Sequence, residues 1–183
     1  MEALLKLYNN NGDLIMPHHI EHSLKVKVPA HRVWEVLGNF GSIEKTSHSV
    51  ERSPLLEGPT SGIGTKRKCH FYDNKSVIEE ITEYNEGHSF SMILSEYSMP
   101  MKSIAAQLKV DKIDNSSCKI TMSMDFVVKG SVLGWLLGAI LLRPVLKRKV
   151  LQKELIGIAY FSATNKSIGK EMPSKDELAS III

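Results

Sequence analysis

Apolar and polar residues alternate along most of the chain between Ile20 and Val128. In residues 20–28 one face is apolar and the other carries glutamate, serine and lysine, which is typical of a half-buried β-strand. Five similar segments follow at residues 64–72, 75–84, 88–97, 101–111 and 118–128, and a less regular one lies at 50–56. The residues between them are rich in Asp, Asn, Gly and Pro. The pattern therefore predicts about seven antiparallel strands joined by short turns.

Helical periods occur in two places. After Pro29, which suits a first helical turn, residues 33–37 form a short apolar stripe, and a second short helix is predicted near residues 42–45. A longer helical period covers residues 130–164. Because proline removes a backbone donor, Pro144 is expected to divide this helix into an apolar piece and an amphipathic piece.

One α+β domain accounts for this pattern. We expect a leader at residues 1–18, a ligand-binding domain at 19–164 and a flexible tail at 165–183. The net charge of +3 is too small to suggest nucleic-acid binding. Residues 1–18 lack the features of a secretory signal, which favours a cytoplasmic location, and the most apolar stretch, residues 131–142, is too short to span a bilayer.

Three stretches carry a resemblance to a known family: PAHRVWEVLGNFG at residues 29–41, GIGTKR at 62–67 and VIEEI at 77–81. They resemble the opening helix, the glycine-then-arginine strand and the glutamate-bearing next strand of the START-like (SRPBCC) superfamily, especially its polyketide cyclase/dehydrase branch. The resemblance covers residues 20–162. It implies a helix-grip fold, in which a curved antiparallel sheet of about seven strands surrounds a long C-terminal helix, with two short helices after the first strand.

The same resemblance implies a deep apolar cavity beneath the last helix. It does not imply a reaction, because START-like proteins include cyclases, aromatases, sterol and lipid carriers and hormone binders. This chain departs from the branch at Thr46, where many members carry a tryptophan, and at His48, where a proline often follows.

Two charges lie in the middle of an apolar face of the long helix. A wheel drawn at 100° per residue over residues 145–162 places Lys147 and Glu154 between apolar flanks, one of which contains Leu151 and Leu155. Buried charges are costly unless they meet partners, water or a ligand. Glu154 has no cation among its helical neighbours, so we expect its partner on the sheet.

Arg67 is the expected partner, because it belongs to the less polar face of residues 64–72. A three-residue turn after this strand would place Glu79 on the face of Arg67, whereas a two-residue turn would place Glu80 there. Arg67, Glu79 and Glu154 are thus predicted to form a polar cluster that orients the oxygen atoms of a ligand. A buried ion-pair network that only satisfies itself is the alternative.

The remaining ligand-binding candidates are apolar. Met92, Met122 and Met124 fall at apolar positions of the later strands, and methionine suits a pocket that accepts varied ligands, although ordinary core packing is the alternative. Trp135 and Leu151, one on each piece of the long helix, complete the set.

The apolar helix piece is followed by a basic one. Between Gly130 and Lys149 a run of apolar residues leads into Arg143, Lys147, Arg148 and Lys149. This combination is typical of segments that dock on anionic membranes, so a peripheral membrane contact is one reading. Packing of a lid over the cavity, with a solvated basic face, is the other.

The sequence favours binding, with or without transport, of a hydrophobic or amphipathic small molecule or lipid. One alternative is a cyclase/aromatase-like enzyme in which Arg67 polarises a ketone and Glu79 or Glu154 acts as general acid or base. Another is a lipid carrier at a membrane surface. No residue is assigned as catalytic, because no nucleophile is paired with a base, and neither Cys69, Cys118 nor the histidines have metal-ligand spacing. We therefore expect no metal and no cofactor.

Overall fold

The computed structural model describes residues 17–98, 100–129, 135–136 and 138–183, together with two short paired strands, β1 (Leu7–Tyr8) and β2 (Leu14–Ile15). The other strands are β3 (His18–Val26), β4 (Val50–Arg52), β5 (Lys66–Phe71), β6 (Ser76–Asn85), β7 (Ser89–Ser95), β8 (Met101–Lys112) and β9 (Cys118–Val128). These form one seven-stranded antiparallel sheet in the order β3-β9-β8-β7-β6-β5-β4. The predicted sheet and its hairpin order are confirmed. Most of the predicted leader lies outside the described residues.

Alternation along the strands decides which side of the sheet is buried. In β9, Cys118, Ile120, Met122, Met124 and Phe126 are all buried, and the residues between them are half-buried or exposed. β8 follows the same rule from Ile104 to Val110. One apolar face therefore points towards the helices, as the period-two pattern requires.

Two short helices follow β3, as predicted. Helix α1 (Ala30–Gly38) buries Val33, Trp34 and Leu37 against the sheet. A 3₁₀ helix, Phe40–Lys45, comes next and buries Phe40. The chain then reaches Thr46 and Ser47, which are both buried although both are polar.

The long helix, as we call residues 138–164, alternates between two geometries. Its consecutive segments are π-helical Gly138–Leu142, α-helical Arg143–Leu146, π-helical Lys147–Leu151 and α-helical Gln152–Thr164. The backbone stays in the right-handed helical region at each junction. The predicted break at Pro144 is not observed: the helix continues through it, and its geometry changes from π-helical to α-helical at Arg143, one residue before the proline.

Gly157 brings the long helix against the chain that follows the 3₁₀ helix. A Cβ atom at this position would overlap the carbonyl oxygen of Thr46 and would lie 2.8 Å from Cδ1 of Ile168. Only glycine permits such a close approach of two backbones. The same segment of helix buries Leu155 and Ile158 in the core, so the helix is held at a defined height above the sheet.

The segment after the long helix, predicted from its composition as a flexible tail, contains a short helix and a strand bridge. Its last helix, Lys175–Ala179, begins with a capping box in which Ser174 and Glu177 bond each other's backbone N–H groups. Ile182 then forms an antiparallel bridge with Val26 on β3. The sequence did not predict these features, because a helix cap and a single apolar contact at Ile182 produce no periodic pattern.

Candidate functional site

A cavity of about 310 Å³ lies between the sheet and the long helix. The sheet contributes residues from β5 to β9, including Met92, Met122 and Met124, and the helix contributes Leu146, Val150, Glu154 and Ile158. Most of the lining is apolar. The three methionines predicted as ligand contacts therefore lie at the cavity wall.

The cavity opens between the β5–β6 turn and the segment after β7. Asp73, Lys75 and Ser98 belong to its lining and are also exposed, so they mark the mouth. Tyr97, half-buried, lies next to Ser98 along the lining. A ligand can enter here without passing through the core.

The β5–β6 turn decides which glutamate faces inwards. Phe71 donates its N–H to the carbonyl of Lys75, which leaves a three-residue turn, and Asn74 within it has a φ of 65°. This geometry pairs Arg67 with Glu79 across the two strands. Of the two alternatives left open by the sequence, the three-residue turn with Glu79 inside is confirmed.

Each of the three guanidinium nitrogens of Arg67 donates a hydrogen bond within the protein. Its Nε and Nη2 donate to the same Glu79 oxygen at 2.6 and 2.5 Å, and its Nη1 donates to the carbonyl of Phe40 at 2.6 Å. Its guanidinium carbon also lies 3.9 Å from the centroid of the Phe40 ring. Arg67 is only 3% exposed and does not line the cavity, whereas Glu79 does. Arg67 therefore neutralises Glu79 from behind, as in the self-satisfied ion pair, and does not face a ligand directly.

Glu154 is the second carboxyl of the cavity, and it has no such partner. Its Oε1 accepts a 2.6 Å hydrogen bond from Ser47 Oγ, while Oε2 is buried without a hydrogen-bond partner in the part of the chain that the structure describes. Burial raises the pKa of Glu154 to about 7, and the charge of Glu79 acts in the same direction. The hydrogen bond from Ser47 and the charge of Arg67 act against this rise. Glu154 can therefore hold or release a proton near neutral pH.

Three polar residues of this site were absent from the sequence prediction: Ser47, Ser49 and Cys69. Ser47 and Ser49 share a 3.1 Å contact between their hydroxyl oxygens, and Cys69 Sγ lies 3.6 Å from Glu79. Burial raises the pKa of the Cys69 thiol, so it is a neutral wall residue and not an activated nucleophile. Ser47 lies between Thr46 and His48, the two positions at which this chain differs from the branch that it resembles. This difference was the only feature of the sequence that pointed to Ser47.

Lys147, Leu151 and Trp135 were predicted to contact a ligand, but none lines the cavity. Lys147 is exposed because the π-helical turns of the long helix are wider than the 3.6-residue period, so a wheel at 100° per residue misplaces it relative to Glu154. Leu151 is fully buried in the core beside the cavity. Trp135 is 43% exposed and stacks on His18, with ring centroids 5.3 Å apart. Among the described residues, no cluster of three or more histidine, cysteine or acidic side chains is placed to hold a metal.

Comparison with known proteins supports the architecture. Residues 17–155 match the family described as "Polyketide cyclase / dehydrase and lipid transport". The chain belongs to this family. Membership in the polyketide cyclase/dehydrase and lipid transport family confirms the START-like resemblance drawn from the sequence. Among curated proteins, none matches the chain significantly.

Solved structures of other proteins have the same fold as this chain. The Zhui aromatase/cyclase from Streptomyces sp. R1128 has 16% sequence identity and a TM-score of 0.64, with coverage of 80% of this chain and 94% of that one. Norcoclaurine synthase from Thalictrum flavum, in complex with dopamine and hydroxybenzaldehyde, has 16% identity, a TM-score of 0.64 and coverage of 84% and 90%. XoxI from Bacillus cereus has 16% identity, a TM-score of 0.61 and coverage of 80% and 96%. Identities this low show the helix-grip fold and not a shared activity.

Proposed function

We propose that this protein binds a hydrophobic or amphipathic small molecule in its cavity, with a polar group of that molecule beside Glu154 and Ser47. The observation that carries the proposal is the asymmetry of the polar patch. Glu79 is neutralised by Arg67, whereas Glu154 has neither a cation nor a hydrogen-bond partner for its buried Oε2 among the residues that the structure describes. An apolar wall with a few placed polar groups is the usual form of a small-molecule site.

The wall supplies affinity and the patch supplies orientation. Removal of apolar surface from water contributes roughly 25 cal/mol per Å², so a ligand enclosed by the methionines and the helix gains most of its binding energy there. Near its pKa, the Glu154 carboxyl both donates and accepts hydrogen bonds. A hydroxyl or amino group on an otherwise apolar body fits this arrangement.

A fluorescent probe with this chemistry tests the proposal. 1-Aminoanthracene has an apolar ring system and one amino group, and we expect saturable binding with enhanced fluorescence. Ala106 lines the cavity, whereas its neighbour Ala105 alternates to the other face of β8. Ala106→Leu should therefore weaken binding at least about tenfold, which corresponds to roughly 1.4 kcal/mol, and Ala105→Leu, the matched control, should leave it unchanged.

The polar group needs a second comparison. Glu154→Leu should weaken 1-aminoanthracene about tenfold, as expected for loss of one hydrogen bond to a carboxyl group, and should not weaken anthracene, which has no donor. Equal effects on the two probes would remove Glu154 from the ligand contacts. Binding that survives Ala106→Leu would place the probe outside the cavity and overturn the proposal.

A cyclase-like enzyme is the second candidate, and the pKa of Glu154 near 7 favours it. A carboxyl in this range serves as a general acid or base at neutral pH. The sequence hypothesis gave ketone polarisation to Arg67, but Arg67 bonds Glu79 and Phe40 and does not line the cavity, so the enzyme candidate depends on the carboxyl groups and above all on Glu154. Turnover of a polyketone that is lost in Glu154→Gln, with probe affinity retained, would favour the enzyme.

A lipid carrier is the third candidate. It needs the same apolar cavity with a mouth, and it needs in addition a surface that meets a bilayer.

A further inference from the structure

Five large apolar side chains are exposed on one part of the long helix and just before it. We call them the apolar patch: Trp135, Leu136, Ile140, Leu141 and Val145, exposed by 43%, 45%, 61%, 56% and 46%. Single exposed apolar residues are ordinary, but a contiguous set marks an interaction site. The cavity lies elsewhere, because none of the five belongs to its lining.

The apolar patch is exposed because the opposite side of the long helix contacts the sheet. Gly138 is buried, and a Cβ atom there would overlap the His18 ring and would lie 2.8 Å from Cγ2 of Val128. Arg143 Nη2 donates to the carbonyl of His19 at 3.1 Å. The helix is thus held by β3 and β9. Trp135 also stacks on His18 of β3, whereas Leu136, Ile140, Leu141 and Val145 remain exposed.

Positive charge adjoins the C-terminal end of the apolar patch. Arg143, Lys147, Arg148 and Lys149 are all exposed, and none of them forms an ion pair with any residue that the structure describes. Residues 126–153 contain no aspartate or glutamate at all, although acidic residues are frequent in the rest of the chain. A complementary partner would therefore carry several negative charges next to an apolar phase.

We propose that the apolar patch and the basic residues that follow it dock this protein on an anionic membrane surface, with the apolar patch inserted at the level of the headgroups and Lys147, Arg148 and Lys149 beside lipid phosphates. Exposed apolar residues flanked by cations are the pattern of interfacial helices, and each cation near an anionic surface adds favourable energy. Within the described residues, no helix is long and apolar enough to cross a bilayer. The contact is a surface one.

The docked helix would also form part of the cavity wall. Leu146 and Val150 line the cavity, while Val145 and Lys147, adjacent to Leu146 in sequence, are exposed. One helix thickness thus separates the proposed membrane contact from the ligand. This juxtaposition suits a protein whose ligand partitions into lipid.

Vesicle binding tests the proposal on the full chain. We expect cosedimentation with vesicles of phosphatidylcholine and phosphatidylserine, about tenfold weaker binding to phosphatidylcholine alone, and weakening by salt, because exposed charges are screened. The chain has two tryptophans; Trp34 is buried with its Nε1 bonded to Glu86, so a blue shift of emission on vesicle binding should come from Trp135. Trp135→Phe should abolish the shift and leave most of the cosedimentation.

Variants of exposed residues separate docking from general charge. Ile140→Gln with Leu141→Gln and, separately, Arg148→Glu with Lys149→Glu should each reduce anionic vesicle binding at least about tenfold. Lys25→Glu with Lys27→Glu is the control, because it makes the same change in net charge at exposed positions of the opposite end of β3. Circular dichroism checks that each variant is folded.

Three results would overturn the proposal. The native protein fails to bind anionic vesicles; or the Lys25→Glu/Lys27→Glu control loses binding as much as the Arg148→Glu/Lys149→Glu variant; or the native protein dimerises through Ile140 and Leu141 without vesicle binding, which would make the apolar patch a contact between two copies of this chain.

Discussion

The two sides of the cavity treat a buried carboxyl group in opposite ways. On the sheet side, Glu79 is held by two nitrogens of Arg67, and Arg67 is itself completed by the carbonyl and the ring of Phe40. On the helix side, Glu154 accepts a hydrogen bond from the Ser47 hydroxyl and forms no ion pair with any described residue. The two carboxyls belong to the same cavity and differ in whether a cation neutralises them.

This difference distinguishes a charge that stabilises the fold from a charge that can interact with a ligand. A buried ion pair whose charges neutralise each other gains little from a ligand, and breaking it leaves an isolated charge. A buried carboxyl without a cation instead shifts its pKa and keeps hydrogen-bonding capacity. Mutations on the sheet side should therefore act on stability, and mutations on the helix side should act on proton binding and ligand orientation.

The largest expected effect is on the sheet side. Arg67→Met leaves Glu79 buried without its cation and should lower the free energy of unfolding by about 3–5 kcal/mol in urea denaturation. Arg67→Met combined with Glu79→Leu removes both charges and should recover a large part of that loss. A double variant that is no more stable than Arg67→Met would show that the pair is not the source of the effect.

The next effect is a pH dependence on the helix side. Glu154 in the folded protein has a pKa of about 7, above its ordinary 4.5, so the folded state binds more protons between these values. The free energy of unfolding should fall as pH rises through this window, by about 3 kcal/mol in total. Glu154→Gln should lack this component. The measurement is the difference in the free energy of unfolding between the native protein and Glu154→Gln, taken at pH 5 and at pH 8. Histidine titration is common to both proteins and cancels in this difference. The same difference at both pH values would contradict the prediction.

The smallest effect concerns the hydroxyl that supports Glu154. Ser47→Ala removes a hydrogen bond that favours the ionised carboxyl, so it should cost about 1 kcal/mol at pH 8 and move the titration of Glu154 upwards. Ser49→Ala is the matched control, because Ser49 contacts Ser47 and not Glu154. If both variants shift the titration equally, the direct bond is not the cause.

The sequence predicted the sheet side better than the helix side. Strand alternation and one turn length place Arg67 opposite Glu79, and both are local properties of the chain. The helix side depends on features without a periodic signal. The π-helical turns rotate Lys147 to a different side of the helix from the one that a regular α-helix would give it. The 3₁₀ helix directs the chain so that Ser47 reaches Glu154. Tertiary contacts determine both, and no pattern of apolar residues records them.

Gly157 has a consequence for the selection of ligands by size. The helix rests on the Thr46 carbonyl through a contact that leaves no space for a methyl group, so the ceiling of the cavity cannot be lowered without moving backbone. A change of rotamer cannot move the helix backbone either, because glycine has no side chain at this contact. Adjustment to larger or smaller guests is therefore left to the side chains of the lining, above all to the thioethers of Met92, Met122 and Met124, which change conformation at low cost.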